Sequence, residues 1–299
     1  YINQGVSLTL EDGVILKMKS SSIRIQVNGT LAASASADSP VTLTSYKDDS
    51  AGGDSNGDAD ASLPARGNWQ GIQVSSTGTA ILDYTIVRYG GSCGTYELCA
   101  LVKVEEGGGL TLTNSVLEHS AKHGVHVNGV ETQAILNNTI DDCSNYGIYI
   151  NDSDADDLPT SPEIRGNVIN NSLYPILIGS SDGYTGEYRI TDNSGTGNTN
   201  NHILMSSTLK GSVKLGTSNA LDWVFPSSIT VLADAVWELG ADEVIKLKNQ
   251  LSRIGVLGTL RVNTTADHPV VFTSLADNEY GYPVGSGTPA KGDWEGIGV

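Results

Sequence analysis

The 299 residues carry 34 acidic against 17 basic side chains, a formal charge of −17 with a pI near 4.5. Such a surface repels polyphosphates, which excludes nucleic acid and anionic membranes as partners and makes divalent cations the natural counter-charge. With 35 glycines, 6% aromatics and no apolar run near the ~20 residues of a membrane span, the composition speaks against helical bundles and membrane insertion and favours short strands and turns.

The first strands read Arg24-Ile-Gln-Val-Asn-Gly29-Thr-Leu31 and Pro40-Val-Thr-Leu-Thr44-Ser45. After them comes an acidic, glycine-rich loop, Asp48-Asp49-Ser-Ala-Gly-Gly-Asp54-Ser-Asn56-Gly-Asp58-Ala59-Asp60. Asp54, Asn56, Asp58 and Asp60 stand at alternate positions, the spacing by which a curled loop aims several oxygens at one Ca2+, as in the first half of an EF-hand. The match is partial. Ala59 stands where that loop wants glycine and Ala65 where it wants a bidentate Glu, so further ligands must come from Asp48 or Asp49. The other reading is a solvated acidic loop.

The chain continues with Gly67-Asn-Trp69-Gln-Gly71-Ile72 and Ile86-Val-Arg88-Tyr89-Gly-Gly91, then Cys93 and Cys99. These two cysteines are compatible with a disulfide formed in an oxidising compartment, leaving Cys143 alone; three reduced, packed thiols are the alternative. From residue 110 a shorter period sets in, with Leu110-Thr-Leu112-Thr-Asn114, Ile135-Leu136-Asn-Asn138, Ile164-Arg-Gly-Asn167 and Ile190-Thr-Asp-Asn193. Each run is followed by a second short apolar strand, such as Gly124-Val-His-Val127 or Gly147-Ile-Tyr-Ile150. A coil of about two dozen residues cannot bury its apolar face alone, so coils must stack with parallel pairing at about 4.8 Å. Stacking predicts inward columns of Leu112, Leu136 and Ile164 and of Val125, Ile148 and Ile176, with Asn114, Asn138 and Asn167 as an amide ladder near a turn. An insertion, Asn151-Asp152-Ser-Asp154-Ala-Asp156-Asp157, offers a second set of Ca2+ donors in Asp152, Asp154 and Asp156.

The end of the chain repeats its beginning. Arg253-Ile-Gly-Val-Leu-Gly258-Thr-Leu260 matches Arg24 to Leu31, Lys246 matches Lys17, and Thr273-Ser274 matches Thr44-Ser45, each 229 residues apart. Gly292-Asp-Trp294-Glu-Gly296-Ile297 matches Gly67 to Ile72 with a loop four residues shorter. This divides the chain into a module over 1–229 and the start of a homologous one over 230–299. Tyr1 corresponds to Thr230 and Val299 to Val74, which suggests an excerpt of a longer array of nine or ten coils and on the order of 45 Å per module. In the second copy the acidic loop becomes Asp277-Asn-Glu-Tyr-Gly-Tyr and loses its alternation.

These motifs together resemble the right-handed parallel β-helix repeats of bacterial and archaeal secreted surface proteins, within the pectate-lyase-like superfamily. The resemblance implies an all-β, right-handed parallel β-helix, an extracellular or cell-surface location, and acidic loops that take Ca2+. It does not choose among lyases, hydrolases, adhesins and stalks, which share the fold. A lyase needs a basic residue beside a carboxylate-bound Ca2+; the candidates Lys103, Arg165, Arg189 and Lys214 form no cluster visible in the sequence. A glycosidase needs paired carboxylates, and Asp141-Asp142 is a pair only in sequence. His119, His123 and His126 share no face and read as exposed polar side chains, while Tyr84, Tyr89, Tyr146, Tyr149 and Tyr184 could stack on sugars or serve packing. The expectation is a Ca2+-stabilised structural or adhesive solenoid. Its partners are further copies of itself and extracellular polysaccharide, with a glycan-active enzyme or glycan-binding module as the alternative.

Overall fold

The computed structural model describes residues 1–59, 61–93, 99–129, 133–152, 162–180, 183–206, 208–215 and 220–299; of the side chains, those of 152 and 184–186 are also set aside. Every element among them is a strand, and all paired strands run parallel. The first coil holds β1 (Ser7–Leu10), β2 (Ile15–Met18) and β3 (Arg24–Val27); the second β4 (Thr30–Ser34), β5 (Val41–Ser45) and β6 (Gly71–Val74); the third β7 (Thr79–Asp83), β8 (Thr85–Arg88) and β9 (Ala100–Val104). Then follow β10 (Gly109–Thr113), β11 (Val116–Ser120) and β12 (His123–Asn128); β13 (Gln133–Leu136), β14 (Thr139–Cys143) and β15 (Tyr146–Asp152); and β16 (Glu163–Arg165), β17 (Val168–Asn170) and β18 (Tyr174–Ser180). The next two coils have two strands each, β19 (Tyr184–Thr191) with β20 (Ile203–Met205) and β21 (Leu209–Leu215) with β22 (Trp223–Phe225). Three strands return in β23 (Ile229–Val231), β24 (Val236–Leu239) and β25 (Val244–Leu247), and the chain ends through β26 (Arg253–Val256), β27 (Thr259–Val262), β28 (Val271–Ser274) and β29 (Gly296–Gly298).

Stacked coil on coil, these strands make three parallel sheets of 13, 6 and 10 strands, a β-helix of about nine turns. Coils average roughly 27 residues, longer than two dozen, because insertions such as 46–70 lengthen individual turns without disturbing the stack. Eight coil steps, fewer than the expected nine or ten, separate β1 from β24, its counterpart 229 residues later.

Alternating side chains fill the interior. Val102, Val125, Ile148, Ile176 and Ile203 follow one another in register along one sheet, each fully shielded from solvent. On the facing sheet the inward column is Leu82, Leu112, Ile135, Ile164 and Ile190. Leu136, expected in that column, points the other way, since a slip of one residue in a strand reverses every side chain. The amide ladder is likewise displaced. Asn138, Asn167 and Asn193 form it, each Oδ1 accepting from the Nδ2 of the preceding Asn at 2.9 Å where one exists, and Ser115 heads it by donating its backbone N–H to Asn138 Oδ1 at 2.9 Å. Asn114 instead takes a left-handed backbone (φ 49°) and bonds Asp83. Buried and fully bonded, the ladder satisfies turn carbonyls such as those of Leu112, Ile135 and Ile164, which burial would otherwise leave unpaired.

Candidate metal centre

The acidic loop between β5 and β6 begins with a structural ion pair. Asp48, 1% exposed, accepts from Thr44 Oγ1 at 2.5 Å, Ser50 Oγ at 2.6 Å and Arg88 at 2.7 to 2.8 Å. Burial opposes its charge, but the hydrogen bonds from Ser50 and Thr44 and the Arg88 guanidinium outweigh this and hold the carboxyl below its ordinary range. Arg88 also reaches Glu118 on the next coil at 3.1 Å. Asp48 is therefore occupied at the base of the loop and is not brought into the group of carboxylates further along.

That group is Asp49, Asp54 and Asp58, which bring one carboxylate oxygen each to within 4.8 Å of one another. Asp54 curls the loop by accepting from the backbone N–H of Gly57 at 2.6 Å and of Ala59 at 2.8 Å, and the Ala59 bond foremost holds its carboxyl below the ordinary range. Asn56 Nδ2 donates to Ser62 Oγ, which donates to Asp58 Oδ2, so Ser62 clamps both side chains. This leaves Asn56 Oδ1 and Asp58 Oδ1 without hydrogen bonds and shielded from solvent. Ala59 holds a left-handed backbone (φ 51°), the conformation for which an EF-hand loop uses glycine at this position. Three mutually close carboxylates and two orphaned oxygens fit a hard cation with oxygen ligands, so Asp49, Asp54, Asn56 and Asp58 are the residues that would hold Ca2+. Asp60 lies outside the described residues, as do Asp154 and Asp156 of the second set; Asp152 ends β15, with its side chain outside what is described.

The loop is tied down at both ends. Lys17 Nζ donates to Gly53 O at 2.5 Å, Ser45 Oγ to Asn68 Oδ1 at 2.9 Å, and Arg66 pairs with Asp142 on β14, three coils along. Trp69 is fully buried and donates to Arg88 O at 2.8 Å. Beyond the loop, Cys93 and Cys99 are joined by a disulfide with their Cα atoms 6.0 Å apart, while Cys143 is a buried free thiol that desolvation pushes up to about 12. The disulfide borders a cavity of about 240 Å3 that Arg24, Gln70, Gln73 and Lys103 also line.

The histidines are not exposed polar side chains. His123 and His126 are 2% and 0% exposed, because successive coils place Tyr146 and Tyr149 in register with them and the rings stack at 4.9 Å. His119 stacks on Tyr89 at 4.9 Å and pairs with Asp142 at 2.6 Å. Asp142 is thus committed to His119 and Arg66, and Asp141 accepts from Asn171, which leaves no paired carboxylates poised over a cleft in this stretch. Tyr146 and Tyr149 are half-buried within the stack, and the side chain of Tyr184 lies outside the described residues.

Among the basic candidates the structure corrects the expectation of scatter. Arg165, Arg189 and Lys214 converge on the outer face of β16, β19 and β21, around a cleft of about 250 Å3 shared with Glu163 and Glu187. The signal was the register: strand pairing sets Glu163 beside Arg189 and Glu187 beside Lys214, which a sequence without known register does not show. Each cation is more than half exposed and lies 3.3 to 3.6 Å from a carboxylate.

A family model described as a right handed beta helix region matches residues 123–214, the stretch from β12 to β21. No curated protein and no solved structure matches the chain. The match and the three stacked sheets agree: the chain folds as a right-handed parallel β-helix. No helix among the described residues is long and apolar enough to cross a membrane.

Proposed function

We propose that this chain is a structural or adhesive segment of an extracellular surface protein or fibre, a solenoid that continues end to end and is stiffened by Ca2+ at Asp49, Asp54, Asn56 and Asp58. One observation carries this reading: what recurs after 229 residues is the scaffold, down to its polar straps. Lys17 to Gly53 O recurs as Lys246 to Tyr282 O at 2.7 Å, and Thr44 to Asp48 recurs as Thr273 to Asp277 at 2.6 Å. The acidic cluster, the most site-like part of the first copy, does not recur. Repetition of frame without repetition of site is what a spacer requires and what a catalytic module does not.

Electron microscopy of the native secreted material tests the proposal. Rods or filaments with an axial repeat near ~40 Å, eight coils at about 4.8 Å each, are expected, losing stiffness in chelator. Short isolated particles indifferent to chelator would overturn it.

A second reading, glycan binding, has its own observation in the cleft of Arg165, Arg189 and Lys214, three cations on successive coils of a strongly acidic chain. Affinity electrophoresis with an anionic polysaccharide tests it. Retardation abolished by Arg189→Gln without loss of polymer length would support binding over cleavage, and no retardation would remove it.

A further inference from the structure

The junction inside this chain shows what covers the start of a module. β24, β25 and β26, the second copies of β1, β2 and β3, each have a parallel neighbour on both sides, whereas β1 and β2 pair only onward, with β4 and β5, and β3 pairs with β6 and, at Val27 alone, with Ile2. The side chains follow. Leu8 is 40% exposed, but its counterpart Trp237 is fully buried and meets Phe225 edge-on at 5.9 Å between ring centroids. Val6 is 50% exposed against 1% for Ala235, and Ile23 is 38% exposed against 1% for Ser252.

The difference is electrostatic as well. Lys246, wholly buried, pairs with Asp222 at 2.9 Å, and Asp222 Oδ2 also accepts from the backbone N–H of Tyr282 at 2.8 Å. The carboxylate fills the space above Gly281, where an added Cβ would sit 2.3 Å from Asp222 Oδ1. In the first copy Lys17 stands for Lys246, Gly53 for Tyr282 and Gly52 for Gly281, with φ of 68° against 70°. The same two donors therefore flank Gly52, and there the Ile15 side chain, 3.1 Å from where a Cβ would stand, lies at the place that Asp222 takes above Gly281.

We propose that the face formed by β1, β2, β3 and Lys17 is a docking surface for a coil of the β21–β22 kind from a module like this one, and that a carboxylate in the position of Asp222 pairs with Lys17. The occupant is defined by the internal junction. A long strand covers β1 with an apolar residue in the place of Val213, a short strand ending in one in the place of Phe225 covers β2, and the acid stands over Gly52 beside Ile15. Apolar burial closes the open strand edges, which otherwise invite unselective pairing, and the buried ion pair fixes the register. This deepens the end-to-end reading and rests on it.

The test is the full chain with a second copy of its own residues 183–229 fused directly ahead of Tyr1, which restores the phase found at the junction. Hydrogen exchange at the β1–β3 amides and acylation of the Lys17 amine are read against the same chain carrying a shuffled extension of identical composition. The docked coil is expected to slow exchange by about a hundredfold and to protect Lys17, a change on the scale of local opening. With D222N in the appended copy alone, the amides stay protected and Lys17 becomes reactive again. Equal exchange with native and shuffled extensions would overturn the proposal, and so would Lys17 protection that ignores D222N. Rods seen by microscopy alongside an unprotected face would sink this inference and spare the end-to-end reading; a protected face on material that forms no rods would do the reverse.

Discussion

The two copies of the loop that follows the Thr-Ser strand end, 46–70 and 275–295, share their fastenings and differ in their contents. In both, the Ser after the threonine strap donates to a side chain beside the tryptophan, Ser45 to Asn68 and Ser274 to Asp293, each at 2.9 Å. In both, that side chain accepts a backbone N–H three residues earlier, from Ala65 and from Ala290. Between the fastenings the first loop gathers Asp49, Asp54 and Asp58, while the second is spanned by Tyr280 and Tyr282, exposed by 50% and 38%. Hydrogen bonds at the base are thus enough to project a long loop from the solenoid, and the middle of the loop is free to diverge. Asp277 takes the position of Asp48 with its threonine strap, and Asp48 in addition pairs with Arg88 of the following coil.

The largest effect should come from the Arg88 pair. Arg88→Met leaves Asp48 buried beside Thr44 and Ser50 without its cation and should cost about 3–5 kcal/mol by denaturant titration, whereas Asp277→Asn, which strips no buried ion pair, should cost about 1 kcal/mol. Equal losses would mean that the two fastenings are equivalent and that Arg88 adds nothing.

A second contrast lies at Glu243, whose counterpart is Val14. Glu243 is 4% exposed, and burial pushes its carboxyl from 4.5 up to about 8, with the backbone N–H of Gly240 and then Lys214 only partly opposing. Between those values the folded state holds a proton that the unfolded state releases, so stability falls as pH rises from about 4.5 through 8, by roughly 3–5 kcal/mol. Glu243→Val, the residue of the first copy, should remove that decline and raise the melting temperature at pH 8. A variant whose melting follows pH as the parent does would refute the assignment. His202 runs the other way. Burial, then Lys248 and Lys246, lower its imidazole to about 4, so its contribution is complete above about 6.5 and is lost as pH falls towards 4.

Smaller still is the cation. Ca2+ at a hundredfold excess over its dissociation constant should stabilise by about 2.7 kcal/mol, and Asp58→Asn should abolish the chelator-sensitive part of the melting curve. The smallest effect is expected at Ala59, where glycine relieves a left-handed backbone and should stabilise the loop by about 1 kcal/mol. Destabilisation by Ala59→Gly would show that the turn is not strained.

Periodicity made the fold legible, because stacked coils force apolar residues into repeating positions that a sequence displays directly. The 229-residue repeat was equally visible in Arg24 to Leu31 and Arg253 to Leu260. Register was not. Leu136 and Asn114 each sat one residue from the inward position, and the choice rests on turn backbones such as φ 49° at Asn114. Alternating acids marked the candidate metal loop, yet Asp48 could not be told from Asp49 without knowing that Arg88, 40 residues on, lies one coil away. The cluster of Arg165, Arg189 and Lys214 stayed hidden for the same reason: spacings of 24 and 25 residues mean adjacency only once coil lengths are known.

The molecule joins a scaffold that repeats to an acidic loop that does not. Hydrogen exchange of both loops across a Ca2+ titration tests this most directly. Ca2+ should slow exchange in residues 49–59 and leave 277–287 unchanged, while both loops keep slow exchange at their Ser45 and Ser274 fastenings in chelator. Equal slowing of the two loops, or a response in neither, would contradict it.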